Sequence, residues 1–121
     1  MRLAEILKLL GDENRLRILN LLLEETLCVC DIENILDITQ SNVSRHLNKL
    51  KMAGILSASK KSQWMYYKMN EEFLAKHQKL VEYLKEEFSQ NNVFQKDLLR
   101  LKEQKKGNIC ELHQNDKSEM R

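Results

Sequence analysis

The sequence lacks several features that mark other protein classes. Its 121 residues contain no proline, three glycines and three cysteines. So little proline and glycine excludes collagen-like chains, glycine-rich phosphate loops and most all-β designs. An odd number of cysteines cannot close a disulfide framework, and thiols in a reducing compartment serve more often as metal ligands or redox groups. Cys28, Cys30 and Cys110 are therefore the first functional candidates.

Long apolar runs are also missing. No stretch approaches the roughly 20 apolar residues that a membrane span needs, and Glu5 precedes any apolar segment of the signal-peptide type. We therefore expect a cytoplasmic protein. The length fits one domain with a substantial core.

The chain as a whole has little excess of charge of either sign, but its middle has a clear positive excess. The formal net charge is only +2, yet residues 37–70 carry six basic groups and one acidic group, a local charge of +5. A basic block of this size is typical of a nucleic-acid-binding surface.

The apolar spacing predicts a mostly helical chain. Apolar residues recur at helical intervals, Asp12 and Thr39 are placed to cap helix starts, and Gly11 and Gly54 are placed to end helices. The first four predicted helices cover about 3–10, 13–25, 28–36 and 40–53. The last two, joined by a short turn, form a helix-turn-helix.

The rest of the chain predicts a wing and a helical extension. Residues 55–60 and 64–69 alternate as in a β-hairpin with a basic tip. Asn70 can cap a helix over about 71–88, and a further amphipathic helix reaches about 105. The predicted fold is mainly α with a small β-hairpin, a winged helix-turn-helix of order α-α-α-α-β-β-α. We divide it into 1–90 for DNA binding and dimerisation, 91–106 as a C-terminal helix, and 107–121 as a disordered tail.

The fourth predicted helix has a polar, non-acidic face opposite its apolar side. Short hydrogen-bonding side chains with an arginine or lysine suit the major groove, and lysines at a wing suit the DNA backbone. An ordinary solvated face is the alternative, and His46 can equally pack beneath the helix. The candidate DNA-binding residues are Gln40, Ser41, Asn42, Ser44, Arg45, His46, Asn48, Lys49, Lys60, Lys61 and Gln63.

Cys28 and Cys30 form a close thiol pair at the start of the third predicted helix. In a regular helix, side chains two residues apart point about 200° apart, so both thiols can bind one ion only if the first turn is frayed or unwound. An ion that needs the unwound turn would oppose a DNA-bound state that needs the regular one. A helix N-terminus also lowers a thiol pKa, which favours the thiolate that soft ions bind. Alternatively, the cysteines are small core residues.

The segment Leu27-Cys28-Val29-Cys30-Asp31-Ile32 resembles the metalloid-binding motif of arsenic-responsive repressors in the ArsR/SmtB winged-helix family. Further family signatures are matched over residues 12–19, 41–47 and 53–56. The resemblance covers about residues 2–88. It implies a homodimer, held by the first helix and the 71–88 helix, that represses a resistance operon on double-stranded operator DNA. As(III) or Sb(III) would release it from the DNA.

Departures from the family pattern leave alternatives open. Glu33 stands where some arsenic repressors have a third cysteine, so either two thiolates suffice with a ligand from elsewhere, or Cys110 completes the site. Addition of His113 would give a set suited to tetrahedral zinc or cadmium. A Zn(II), Cd(II) or Pb(II) sensor and a thiol redox switch are the alternative regulators. A cysteine-nucleophile enzyme lacks an evident oxyanion hole or orienting acid, so we expect no enzymatic activity.

Overall fold

A computed structural model describes residues 3–107. Cys110, His113 and the rest of the predicted tail from residue 108 onward lie outside the described residues. The elements are α1 (Leu3–Leu10), α2 (Glu13–Glu24), β1 (Leu27–Cys28), α3 (Val29–Leu36), α4 (Gln40–Met52), β2 (Leu56–Lys61), β3 (Trp64–Met69), α5 (Glu71–Lys76), α6 (Gln78–Ser89) and α7 (Asn92–Gly107).

Side-chain caps set where three of the helices begin, as the sequence predicts. Asp12 accepts a hydrogen bond from the backbone N–H of Arg15 at 3.1 Å. At the starts of α4 and α5, Thr39 and Asn70 each accept one from the backbone N–H three residues further along the chain. Each cap satisfies one of the N–H groups that the first helical turn leaves without a partner. At the other end of α4, Gly54 takes φ 79°, the left-handed conformation that glycine adopts without a steric penalty.

The predicted hairpin is confirmed, and a third strand joins it. β2 and β3 pair antiparallel with Lys61 opposite Trp64, which leaves a two-residue turn whose Ser62 has φ 61°. β1 pairs with the other edge of β3, giving the order β1-β3-β2. The sequence does not predict β1, because two residues are too few to show a strand period.

The single helix predicted over 71–88 is wrong. The chain breaks at His77, whose φ of −122° and ψ of 43° are not helical, so that α5 and α6 are separate helices. The His77 N–H still donates to the Phe73 carbonyl, and its own carbonyl accepts from Val81. Because the hydrogen bonds continue across the break, the apolar spacing on either side does not reveal it.

The core lies where α2, α3 and α4 meet the sheet. Its fully buried side chains include Ile18, Leu21, Ile32, Val43 and Leu47. α7 packs across α2 and α3, burying Phe94 and Leu101. Among residues 3–107, none of the helices is sufficiently long and apolar to cross a membrane.

Candidate metal centre and nucleic-acid interface

The sulfur atoms of Cys28 and Cys30 converge with one carboxylate. Cys28 ends β1 and precedes α3 with extended backbone angles, φ −89° and ψ 167°, whereas Cys30 and Asp31 lie in the first turn of α3. One ligand atom from each of these three residues lies within 4.8 Å of the others. Cys28 is thus not helical, as the spacing argument requires for both sulfur atoms to reach one ion, while α3 is regular from Val29 onward.

Asp31 holds Cys28 at the helix start. Its Oδ2 accepts from the backbone N–H of Cys28 and from the Cys28 thiol, both at 3.2 Å. The first contact is the reciprocal half of a capping box. Asp31 thus lies in the ligand cluster while it also ties β1 to α3.

Burial changes the chemistry expected of Cys28. The residue is 1% exposed. Burial raises the pKa of the Cys28 thiol to about 11, and the nearby negative charge of Asp31 adds to the rise. For Cys28 the predicted lowering of the thiol pKa by the helix N-terminus is therefore wrong, because loss of hydration outweighs the helix dipole. An ion that binds Cys28 at neutral pH must displace a proton from it.

The polar face of α4 is oriented away from the core, as the sequence predicts. Val43, Leu47 and Leu50 point into the core and are fully buried. The opposite face exposes Gln40, Ser41, Arg45, Asn48 and Lys49, with Asn42 and Ser44 half-buried at its flanks. At the tip of the hairpin, Lys60, Lys61 and Gln63 are exposed. A basic helix face and a basic wing are thus both open to a nucleic acid.

His46 occupies a different environment from the other candidates on α4. It is 6% exposed, and its Nδ1 lies 3.2 Å from Nη1 of Arg15 on α2. Because a guanidinium can only donate, Nδ1 accepts this hydrogen bond. Burial lowers the pKa of His46, with Asp12 acting in the opposite direction. This placement supports the packing role that the sequence left open.

Two polar residues at the cysteine cluster, Asp31 and Gln104, are not among the site residues that the sequence predicts. The signal for Asp31 is its position three residues after Cys28, which is the capping-box spacing. Gln104 on α7 donates to Oδ1 of Asp31 at 2.8 Å. No local pattern connects two residues that are 73 positions apart in the chain.

The family model for "Bacterial regulatory protein, arsR family" matches residues 12–58, which include α2, the cysteine cluster and α4. A transcriptional regulator of Methanocaldococcus jannaschii, MJ1325, is 44% identical over 82 residues, which are 67% of this chain and 92% of that protein. The chain belongs to the ArsR family. This family consists of transcriptional regulators and not of enzymes, in agreement with the expectation from the sequence.

The relatives with named roles are regulators of resistance to two different elements. The cadmium resistance regulator CadC of Listeria innocua is 48% identical over 61 residues, covering 50% of this chain and 51% of that protein. The arsenic resistance regulator ArsR1 of Pseudomonas putida is 41% identical over 68 residues, covering 55% and 53%. The chain thus spans about half the length of these two relatives.

The fold also matches a solved DNA-binding domain. The homodimeric winged helix-turn-helix domain Mb0332 from Mycobacterium bovis superposes with a TM-score of 0.60 at 28% identity, covering 69% of this chain and 78% of that one. The ArsR-family protein described here therefore has the predicted winged helix-turn-helix fold.

Proposed function

We propose that this ArsR-family protein is a homodimeric repressor of a resistance operon, and that it leaves its operator when a thiophilic ion binds Cys28 and Cys30. The observation that carries the proposal is the convergence of the two cysteine sulfur atoms with Asp31 at the start of α3. The relatives that regulate cadmium and arsenic resistance support it, as does the homodimeric solved neighbour. We expect it to act in the cytoplasm, where the operator is.

The DNA-facing part of the proposal uses the exposed side chains of α4 and the wing. Arg45, Asn48 and Lys49 would reach base edges or phosphates from the major groove, and Lys60 and Lys61 would contact the backbone. A dimer would place two such helices in successive major grooves, about 34–36 Å apart. His46 supports α4 from beneath, through Arg15.

The site and the DNA-facing helix are mechanically close. α3 packs directly against α4, and Ile32 and Ile35 share one buried cluster with Val43 and Leu47. Close-packed interiors transmit small displacements, so a shift of α3 around an ion would move α4. A hundredfold loss of operator affinity needs about 2.7 kcal/mol of coupling, within the usual range for allosteric proteins.

The inducing ion is proposed as As(III) or Sb(III), because two neighbouring thiolates suit soft ions. The carboxylate of Asp31 beside both thiols favours a second candidate, Cd(II), with Zn(II) or Pb(II) as further possibilities, since these ions also accept oxygen ligands. Cys110 remains a proposed additional ligand.

Serine variants of the two cysteines test the site. Cys28→Ser and Cys30→Ser should bind operator DNA as the wild type does, in a gel shift under reducing conditions, and should no longer be released by arsenite. Cys30 is the less buried of the two, so its variant is the less prone to general destabilisation. Normal release of both variants by arsenite and by Cd(II) would refute the site.

Arg45→Ala is the matched control on the DNA side. It should lose about 1–3 kcal/mol of operator affinity while it retains ion binding, measured as the sulfur-to-Cd(II) absorption band. Unchanged operator affinity would remove Arg45 from the proposed interface.

A further inference from the structure

We infer that Gln104 on the C-terminal helix α7 is a positioning residue of the ion site, which holds Asp31 so that one carboxylate oxygen faces both thiols as a third donor. The inference rests on the proposed ion binding by Cys28 and Cys30 and extends it to a helix outside the family-matched residues 12–58.

The amide of Gln104 is buried and satisfied at both ends. Gln104 is 8% exposed. Its Nε2 donates to Oδ1 of Asp31 at 2.8 Å, and its Oε1 accepts from the side-chain amide of Asn34 on α3. Because these two contacts fix which end of the amide faces Asp31, the carboxylate is held through Oδ1. Its other oxygen, Oδ2, is left to face Cys28.

α7 is anchored firmly enough to act as a support. Asp97 accepts two hydrogen bonds from the guanidinium of Arg17, at 2.8 and 2.9 Å, and is buried. Asn20 donates to the Phe94 carbonyl, and Arg100 donates to the Asn34 carbonyl at 3.2 Å. Gln104 therefore approaches Asp31 from a helix that is fixed to both α2 and α3.

Ion binding would turn Oδ2 from a hydrogen-bond acceptor into a ligand. The S–H bond of Cys28 breaks, its proton passes to water, and a bond from sulfur to the ion forms. Oδ2 then no longer accepts from the thiol. Partners that orient metal ligands typically contribute 10–100-fold to metal affinity, so loss of Gln104 should weaken an ion that uses the carboxylate.

Two probes with different ligand demands test this role in the full-length, reduced protein. Cd(II) takes oxygen as well as sulfur ligands, whereas the arsenic of phenylarsine oxide keeps its phenyl carbon and binds only two thiolates. Gln104→Leu, and Gln104→Glu, which retains an oxygen acceptor for Asn34, should weaken Cd(II) binding by about 10–100-fold. Both variants should bind phenylarsine oxide and ion-free operator DNA as the wild type does.

Gln95→Leu is the control on the same helix. Gln95 donates through Nε2 to the Phe88 carbonyl at 3.0 Å, so its variant also loses a side-chain hydrogen bond. It should leave the affinities for both probes unchanged.

Wild-type Cd(II) affinity in both Gln104 variants, or equal weakening of both probes, would overturn the positioning role. Wild-type protein that binds neither probe would instead refute the proposed function and this inference with it.

Discussion

Removal of one partner of the buried ion pair between Arg17 and Asp97 should destabilise the protein strongly. The pair joins α7 to α2 through two charge-assisted hydrogen bonds at 2.8 and 2.9 Å. The Asp97 side chain is 3% exposed and that of Arg17 19%. Asp97→Ala leaves a guanidinium without its partner, and Arg17→Ala leaves a buried carboxylate without its own.

The expected loss of stability follows from how deeply this ion pair is buried. Loss of one partner of a buried pair costs about 3–5 kcal/mol. Arg17 can regain some hydration through its exposed fraction, so we expect Asp97→Ala to cost near the lower limit, about 3 kcal/mol. Domains of this size are stable by about 5–15 kcal/mol. The variant should therefore fold with a melting temperature lowered by more than about 10 °C.

Urea unfolding of the variants in a double-mutant cycle measures the interaction energy between Arg17 and Asp97. Arg17→Ala, Asp97→Ala and the double variant should give a coupling energy of about 2 kcal/mol, because each single variant leaves one charge unpaired. The control is Lys105→Ala, which removes the ion pair of Lys105 with Glu25. Lys105 is largely exposed, so its removal should barely change stability. A coupling energy below about 0.5 kcal/mol, typical of exposed pairs, would show that burial does not strengthen this ion pair.

Three further predictions concern α4 and the wing. Gly54→Ala should destabilise the fold by about 1–2 kcal/mol in thermal unfolding, because φ 79° is strained for a residue with a Cβ. Open space surrounds the added carbon, so the strain is in the backbone alone. Unchanged stability would contradict this prediction. His46 has a lowered pKa, so below about pH 6.5 the unfolded chain binds its proton more strongly and stability falls as the pH decreases. His46→Gln should reduce that loss when urea unfolding is compared at about pH 5.5 and 7.5; an unaltered pH dependence would assign the loss to other groups. Lys60→Ala and Lys61→Ala should each lower the salt slope of operator binding by about one, without changing sequence preference, whereas an unchanged slope would exclude phosphate contact.

Local sequence pattern was sufficient to predict the helices capped by Asp12 and Thr39, the hairpin and the exposed face of α4. Caps act over three residues, helical hydrogen bonds over four, and the two-residue turn at Ser62 sets the hairpin register. Arg45 and Lys49 could be assigned to the outer face because Val43 and Leu47 define the inner one. These interactions connect residues that are neighbours in the chain, so spacing alone encodes them.

Tertiary structure decided the chemistry at the thiols. Cys28 leaves the helix because it pairs with Tyr66 of β3, and the same pairing contributes to its burial. Its thiol pKa therefore depends on a strand 38 positions further along the chain. The orientation of Asp31 likewise depends on Gln104, which α7 brings across α3. The sequence could identify the ligand types, but burial and partners set by packing between distant segments determine how readily those ligands lose protons and where they point.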